Sequence, residues 1–237
     1  MEQPTSAATK GGRLWVWMPL ALLICLSLPF IFSDLDLRIQ ELLFDHERGW
    51  RLADQWLITL LYKYGPWPAL GMACGGATLL VVSVFWEPWR AHRYLGLFTV
   101  LLLLLGPGLL VNYCFKDHFG RPRPREVEEF GGDQSFHRLW HPGNPGEGKS
   151  FPSGHASMGF YWMGLAFYFG AGRRRLFHGL LWGGLVYGTL MGFGRIAQGG
   201  HFASDILWSA GFIYVTSVAL RAIQGACQQP AFPREVL

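Results

Sequence analysis

Three short stretches of this chain concentrate the side chains that can do chemistry: "KDHFGRPRPRE" at 116–126, "KSFPSGHASMGF" at 149–160 and "GRIAQGGHFASD" at 194–205. In the first, Lys116 is followed by Arg121, Arg123 and Arg125, with Pro122 and Pro124 between them. A proline biases the residue before it towards extended backbone. Alternate side chains of an extended strip share a face, so the three arginines are expected on one side. Guanidinium forks match phosphate oxygens bidentately, and an ammonium adds a point charge. Taken alone, the stretch serves equally well as a basic strip touching anionic lipid headgroups.

In the second stretch, Pro152 and Ser153 suit a helix start. A helix beginning near His155 aims its free backbone N–H groups at whatever sits there, which makes an anion site. Ser153 can cap that helix, contact a ligand oxygen, or both. His155 can hold or give a proton at neutral pH; an interfacial histidine that merely caps the helix is the plainer alternative. In the third stretch, Arg195 precedes His201 and Asp205, which stand four residues apart and face each other on a helix. A carboxylate beside an imidazole fixes its tautomer and supports positive charge on the ring. The other nitrogen of His201 is then free to act as a nucleophile. Gly199 and Gly200 permit a tight turn that brings Arg195 back towards His201. A His–Asp pair buried for stability is the alternative here.

The elements that must position these residues are apolar. Of 237 residues, 51% are hydrophobic and 15% charged, against about 25% charged in a soluble domain. Six segments are nearly free of charge: Leu14–Phe32, Pro66–Trp86, Tyr94–Cys114, His155–Gly172, Leu176–Phe193 and Ile206–Leu220. The first three have the length of a helix crossing hydrocarbon, about 20 residues. The last three are shorter, with His155, Asp205 and Arg221 at their ends, at the interface or in a wet cavity. The expected fold class is all-α: a polytopic membrane protein with a six-transmembrane-helix bundle, forming a single domain over 1–237. "LADQWLITLLYKYG" at 52–65 has apolar residues on one side and reads as an interfacial helix in the first outer loop. A short re-entrant or packing helix fits it as well. Leu14–Phe32 follows Lys10 and Arg13 but has a longer apolar core than a signal peptide, so a retained helix is expected. The cysteines, Cys25, Cys74 and Cys114 in or beside apolar segments and Cys227 near the end, imply no disulfide framework.

Six crossings put both termini on one side with "EPWRAHR" (87–93) and "RRR" (173–175), and all three chemical clusters on the other. Short Arg-rich loops mark the cytoplasm. The clusters are therefore expected to face outward, towards the periplasm if the membrane is a bacterial inner membrane. A plain count of Lys and Arg divides almost evenly between the sides, but Lys116, Arg121, Arg123, Arg125 and Arg195 belong to the clusters themselves. Together the clusters supply several fixed cations, two histidines, one carboxylate and a helix N-terminus, a set suited to a dianionic phosphate. Their Lys and Arg repel a metal ion, so neither metal nor other cofactor is expected. The formal charge of +4, without a basic tail, points to no nucleic-acid partner.

The three clusters resemble the three-part signature of the type 2 phosphatidic acid phosphatase family, whose superfamily also includes vanadium haloperoxidases. K-x6-R-P falls on Lys116, Arg123 and Pro124, and P-S-G-H on Pro152 to His155. S-R-x5-H-x3-D falls on Arg195, His201 and Asp205, with Gly194 where the pattern has serine. One hydroxyl contact to phosphate is therefore expected to be missing. The resemblance implies a metal-independent membrane lipid phosphatase acting on a phosphate monoester or diphosphate. His201 would become a phosphohistidine, Asp205 would orient it, and His155 would protonate the leaving oxygen and then activate water. Lys116, Arg123 and Arg195 would hold the non-bridging oxygens with Ser153 and the Gly154 N–H. Arg121 lies outside the pattern and is a weaker, additional candidate for substrate binding. The loop at 125–151 is the expected reader of the headgroup. The "EFGG" that follows the first cluster is similar to bacterial members that dephosphorylate lipid A. Undecaprenyl diphosphate, phosphatidylglycerophosphate and phosphatidic acid stay open. A phosphotransferase using the same phosphohistidine and a non-enzymatic phospholipid-binding or transport protein are the alternatives. Oligomeric state is not legible.

Overall fold

The computed structural model describes residues 6–228. The terminal residues 1–5 and 229–237, which carry part of the expectation about sidedness, lie outside the described residues. The chain runs α1 (Ser6–Phe32), α2 (Leu35–Glu41), β1 (Phe44–Asp45), β2 (Gly49–Trp50), α3 (Trp56–Tyr64), α4 (Trp67–Phe85), α5 (Arg93–Leu103), α6 (Gly154–Phe169), α7 (Arg174–Ala197) and α8 (Ala203–Gln228). The fold is thus mostly helical. Against the all-α expectation, a small antiparallel ribbon pairs Phe44 with Trp50, and Val127 forms an isolated parallel bridge with Gln134.

Among the described residues, four helical stretches are long and apolar enough to cross a membrane: Trp56–Phe85, Glu87–Lys116, Arg174–Ala197 and Ala203–Gly225. Val16–Phe32 and Leu35–Glu41, bent by 79° from one another, make a fifth if taken as one broken span. Large apolar side chains such as Trp17, Phe32, Phe85 and Trp182 stand exposed on these stretches, as lipid-facing residues do. The sixth segment expected from the sequence forms α6, which has only 16 residues. At 1.5 Å per residue that is about 24 Å, short of the roughly 30 Å hydrocarbon core.

α6 is instead the central helix of the bundle. Ten of its residues are buried, among them Phe160, Tyr161 and Leu165. A helix enclosed by neighbours is apolar all round and shows no single apolar face, which is why its sequence has no helical stripe. Gly159 makes this enclosure possible, because a Cβ there would collide with the backbone of Gly188 in α7. Small residues let membrane helices approach this closely.

α3 runs through Gly65 and Pro66 into α4 as part of one 30-residue stretch. It packs on α7, where the Tyr187 hydroxyl donates to the Gly65 carbonyl at 2.9 Å. The packing alternative for this segment therefore has direct support. α5 continues as a π-helix over Leu104–Lys116. Pro107 within it has no N–H to donate, and the Asn112 side-chain amide donates to the Pro107 carbonyl at 2.7 Å. π-helical turns of this kind concentrate at functional sites, and this one ends on Lys116.

The loop between Lys116 and α6 is held by packing as well as by polar contacts. Val111, Leu139, Phe151 and Phe212 form a buried cluster, with Phe119, Trp140 and Trp208 against it. Two backbone bonds tie its ends to the site: Ser150 N–H to the Arg121 carbonyl at 2.9 Å, and Arg125 N–H to the Gly199 carbonyl at 3.1 Å.

Candidate active site

The third cluster folds as a turn, residues 198–202, between α7 and α8. Gly199 adopts φ +62° and lies against the Trp50 ring. A Cβ on Gly200 would run into the Arg195 guanidinium, so this glycine lets Arg195 fold back, as its spacing suggested. His201 precedes the first turn of α8 and is buried. Its Nδ1 faces the Ser150 carbonyl at hydrogen-bond distance. A carbonyl only accepts, so Nδ1 carries the proton and Nε2 keeps its lone pair.

This corrects one detail of the expectation. Asp205 Oδ2 is 3.7 Å from Nδ1, beyond a good hydrogen bond; the Ser150 carbonyl selects the tautomer, and Asp205 adds negative charge beside it. The Asp205 carboxylate is itself held by the Arg121 guanidinium at 2.6 Å, the Phe202 N–H at 2.8 Å and the Ser150 hydroxyl. Burial, opposed by Asp205 and reinforced by the charges of Lys116 and Arg195, lowers the His201 pKa from 6.5 to about 4. At neutral pH the imidazole is therefore uncharged and its Nε2 is available.

Arg121 is placed differently from the expectation that it faces a ligand. It is fully buried, with Nη2 on Asp36 at 2.8 Å, Nη1 on Asp205 and on the Ser204 hydroxyl at 2.8 Å, and Nε on the His137 carbonyl at 2.9 Å. No edge of this guanidinium is open to a substrate. The alternation expected of an extended strip fails because two buried carboxylates draw Arg121 inward, and because the strip turns into a tight 3-10 turn at Pro124–Glu126.

Lys116, Arg123 and Arg195 come together instead. Lys116 lies within electrostatic reach of both arginines. Among the described residues, the Nε atoms of Arg123 and Arg195 are buried without a hydrogen-bond partner. Arg195 has one side-chain partner, the Gln198 amide oxygen, and lies over the Tyr62 ring at 4.6 Å. Three converging cations repel one another, and buried donors left unpaired cost free energy. An anion placed between them relieves both.

The N-terminus of α6 adjoins this cradle. The space where a Gly154 Cβ would stand is bordered by the Asn112 side chain and the Lys116 ammonium, so a larger residue would crowd both. The Ser153 hydroxyl accepts from the Ala156 N–H at 3.3 Å, which realises the capping role foreseen for it. Its own N–H donates to the Ser209 hydroxyl at 2.9 Å. His155 stacks on Tyr62 at 4.9 Å between ring centroids and lies in the field of Lys116 and Arg195, the two cations that also act on His201.

The residues the sequence reading named thus fall into one locality, with Arg121 behind it. Ser150, Ser204, Asp36 and Tyr62 are among the contributors that the three motifs do not specify. Ser150 sits just ahead of the "PSGH" stretch, where a polar residue before a helix start deserved weight. Asp36 stands among Asp34, Arg38 and Glu41 in a mixed polar and apolar stretch, so nothing in its local sequence marks it as buried. Gly194, in place of the pattern's serine, has room: a Cβ there meets only Ile58, at ordinary contact distance. No group of three or more His, Cys, Asp or Glu among the described residues could hold a metal ion.

A family model described as "PAP2 superfamily" matches residues 93–228. A protein named lipid A 4'-phosphatase from Francisella tularensis subsp. novicida (strain U112) is 35% identical over 146 residues, 61% of this chain and 65% of that protein. Proteins of the same name from Rhizobium leguminosarum and Rhizobium etli are each 56% identical over 34 residues, 14% of this chain. These stretches cover 15% and 13% of the two rhizobial proteins. The chain thus aligns with less than two thirds of the length of each of these relatives. No solved structure matches it.

Proposed function

The chain belongs to the PAP2 superfamily, and from that premise we propose that it is an integral-membrane lipid phosphatase that removes a phosphate monoester from lipid A through a phosphohistidine intermediate. The observation that carries this reading is the geometry of His201: a neutral imidazole with Nδ1–H committed to the Ser150 carbonyl and Nε2 left free, beside three cations with unused donors. Lipid A is favoured over undecaprenyl diphosphate by the Francisella relative.

In the first step His201 Nε2 attacks phosphorus and forms an N–P bond while the P–O bond to the sugar breaks. The leaving oxygen takes its proton from His155, which draws that proton from solvent as the negative charge of the bound phosphate offsets Lys116 and Arg195. Lys116, Arg123 and Arg195 hold the non-bridging oxygens, with the Gly154 N–H at the positive end of α6. The ring gains positive charge as it is phosphorylated, and the Asp205 carboxylate stabilises it. In the second step His155 removes a proton from water, the resulting hydroxide attacks phosphorus, and the N–P bond breaks to return neutral His201 and phosphate. The residues present need no metal for either step, since fixed cations do the work of charge stabilisation.

The same reading takes the whole chain as one membrane domain with six crossings, in which the short α6 crosses inside the bundle and α3 packs on α7. The site opens towards the periplasmic face of an inner membrane, where Arg90, Arg93 and Arg173 to Arg175 on the opposite ends act as cytoplasmic anchors. The lipid's acyl chains stay in the bilayer while its phosphate enters the cradle. Phosphate release by the purified full chain in detergent with chelator tests this, comparing lipid A with undecaprenyl diphosphate. Release from lipid A, lost by a factor of about 10⁴ or more in His201→Ala, is expected. Equal activity of His201→Ala, or dependence on added metal, would overturn the mechanism. Transfer of phosphate to an added lipid acceptor in place of water would identify a phosphotransferase.

A further inference from the structure

α2 is a seven-residue helix bent sharply away from α1, and it precedes the residues that the family model covers. Two of its polar side chains, Asp36 and Gln40, are buried and reach the turn that carries His201. Asp36 Oδ1 accepts from the Ser204 N–H at 3.0 Å, and Oδ2 accepts from the Ser204 hydroxyl and from Arg121 Nη2. Gln40 Nε2 donates to the His201 carbonyl at 2.7 Å. Arg121 then links Asp36 to Asp205 across a single guanidinium.

From this arrangement we infer that Asp36 and Gln40 are positioning residues for the His201–Asp205 pair, with α2 serving as the clamp that sets the orientation of the imidazole. The turn they grip contains Gly199 and Gly200 and is intrinsically soft. α2 bonds the backbone of His201 within the turn and the backbone of Ser204 in the first turn of α8 that follows it. Without Gln40 the His201 carbonyl loses its buried donor. Without Asp36 the Ser204 N–H loses its acceptor and Arg121 pulls on Asp205 from one side only. Either change lets the ring drift from the Ser150 carbonyl, the acceptor that holds the proton on Nδ1. A buried carboxylate–guanidinium–carboxylate set contributes little net stability compared with apolar packing; fixing the register of the turn is what it does here.

The inference rests on His201 being the nucleophile, and its test separates the two ideas. The full chain is labelled with 15N-histidine in detergent, and the His201 signals are assigned by their absence in His201→Ala. Wild type is expected to show protonated Nδ1 and bare Nε2 at pH 7. Asp36→Asn and Gln40→Leu are each expected to show a mixture of tautomers, with kcat for phosphate release down about 10- to 100-fold and KM within about twofold. Gln40→Leu removes no charge, so it decides the matter if Asp36→Asn does not fold. A folded variant of either kind that keeps the wild-type tautomer and kcat overturns the inference. If His201→Ala retains activity, the nucleophile assignment fails, while the tautomer signals still report whether α2 orients the ring.

Discussion

Arg121 and Arg123, two residues apart on one strip, meet opposite surroundings. Arg121 is sealed behind the site with its donors spent on Asp36, Asp205, Ser204 and a backbone carbonyl. Arg123 keeps a buried Nε with no partner and only a 3.8 Å approach to Glu126, and it shares its space with Lys116 and Arg195. The satisfied guanidinium holds the protein's own carboxylates in place. The unsatisfied ones leave hydrogen-bonding capacity for a ligand that supplies oxygens. Residue type does not separate these roles, but the inventory of partners does.

The sharpest way to break that comparison is to remove each arginine. Arg121→Ala strands Asp36 and Asp205 in the interior, and an uncompensated buried charge costs about 3–5 kcal/mol. Thermal unfolding in detergent is expected to show a large drop or no folded protein. If Arg121→Ala melts like wild type and loses only activity, the sealed layer is not what holds this region together. Arg123→Ala should do the reverse. Its melting point is expected to stay near wild type, while kcat/KM for phosphate release falls about 10²-fold, the usual cost of one charge-stabilising donor. Arg195→Ala should behave like Arg123→Ala in its effect on turnover.

A third measurement exploits His201, which sits at the boundary between the two regions. Its folded pKa, about 4, lies below the unfolded value of about 6.5. Within that window the unfolded state binds more protons, so its share of stability falls as pH drops from about 6.5 to about 4 and changes no further below. The melting temperature of wild type should therefore fall more steeply with acid over this range than that of His201→Gln. Parallel curves would mean that the imidazole is not held neutral by burial. The smallest effect belongs to Gly194→Ser. A Cβ there meets only ordinary contacts with Ile58, though the position is buried, so stability should change by about 1 kcal/mol or less. Turnover should change by no more than a few-fold, and a large gain would show that the missing hydroxyl limits it.

Much of the site was legible because its parts come as short local patterns. Capping by Ser153, the His201–Asp205 neighbourhood and the return of Arg195 past Gly200 all follow from spacings of a few residues. The inward position of Arg121 is not legible from local alternation, because the forces acting on it come from Asp36, 85 positions earlier, and Asp205, 84 later. Gln40 and His201 are separated by 161 positions, and no periodicity spans that distance. The helical character was legible from composition, whereas the count of crossings was not. An apolar run of α6's length reads alike whether lipid or protein surrounds it.

The sequence by itself determined the membrane-embedded helical class, the three clusters and the order in which they occur, because burial in hydrocarbon and helix capping act over one segment at a time. Tertiary structure decided which nitrogen of His201 is free, which arginines are spent and which are open, and that a short N-terminal helix reaches the site. Those outcomes depend on which donor meets which acceptor in a space with no water to substitute. That matching exists only once distant segments are packed together.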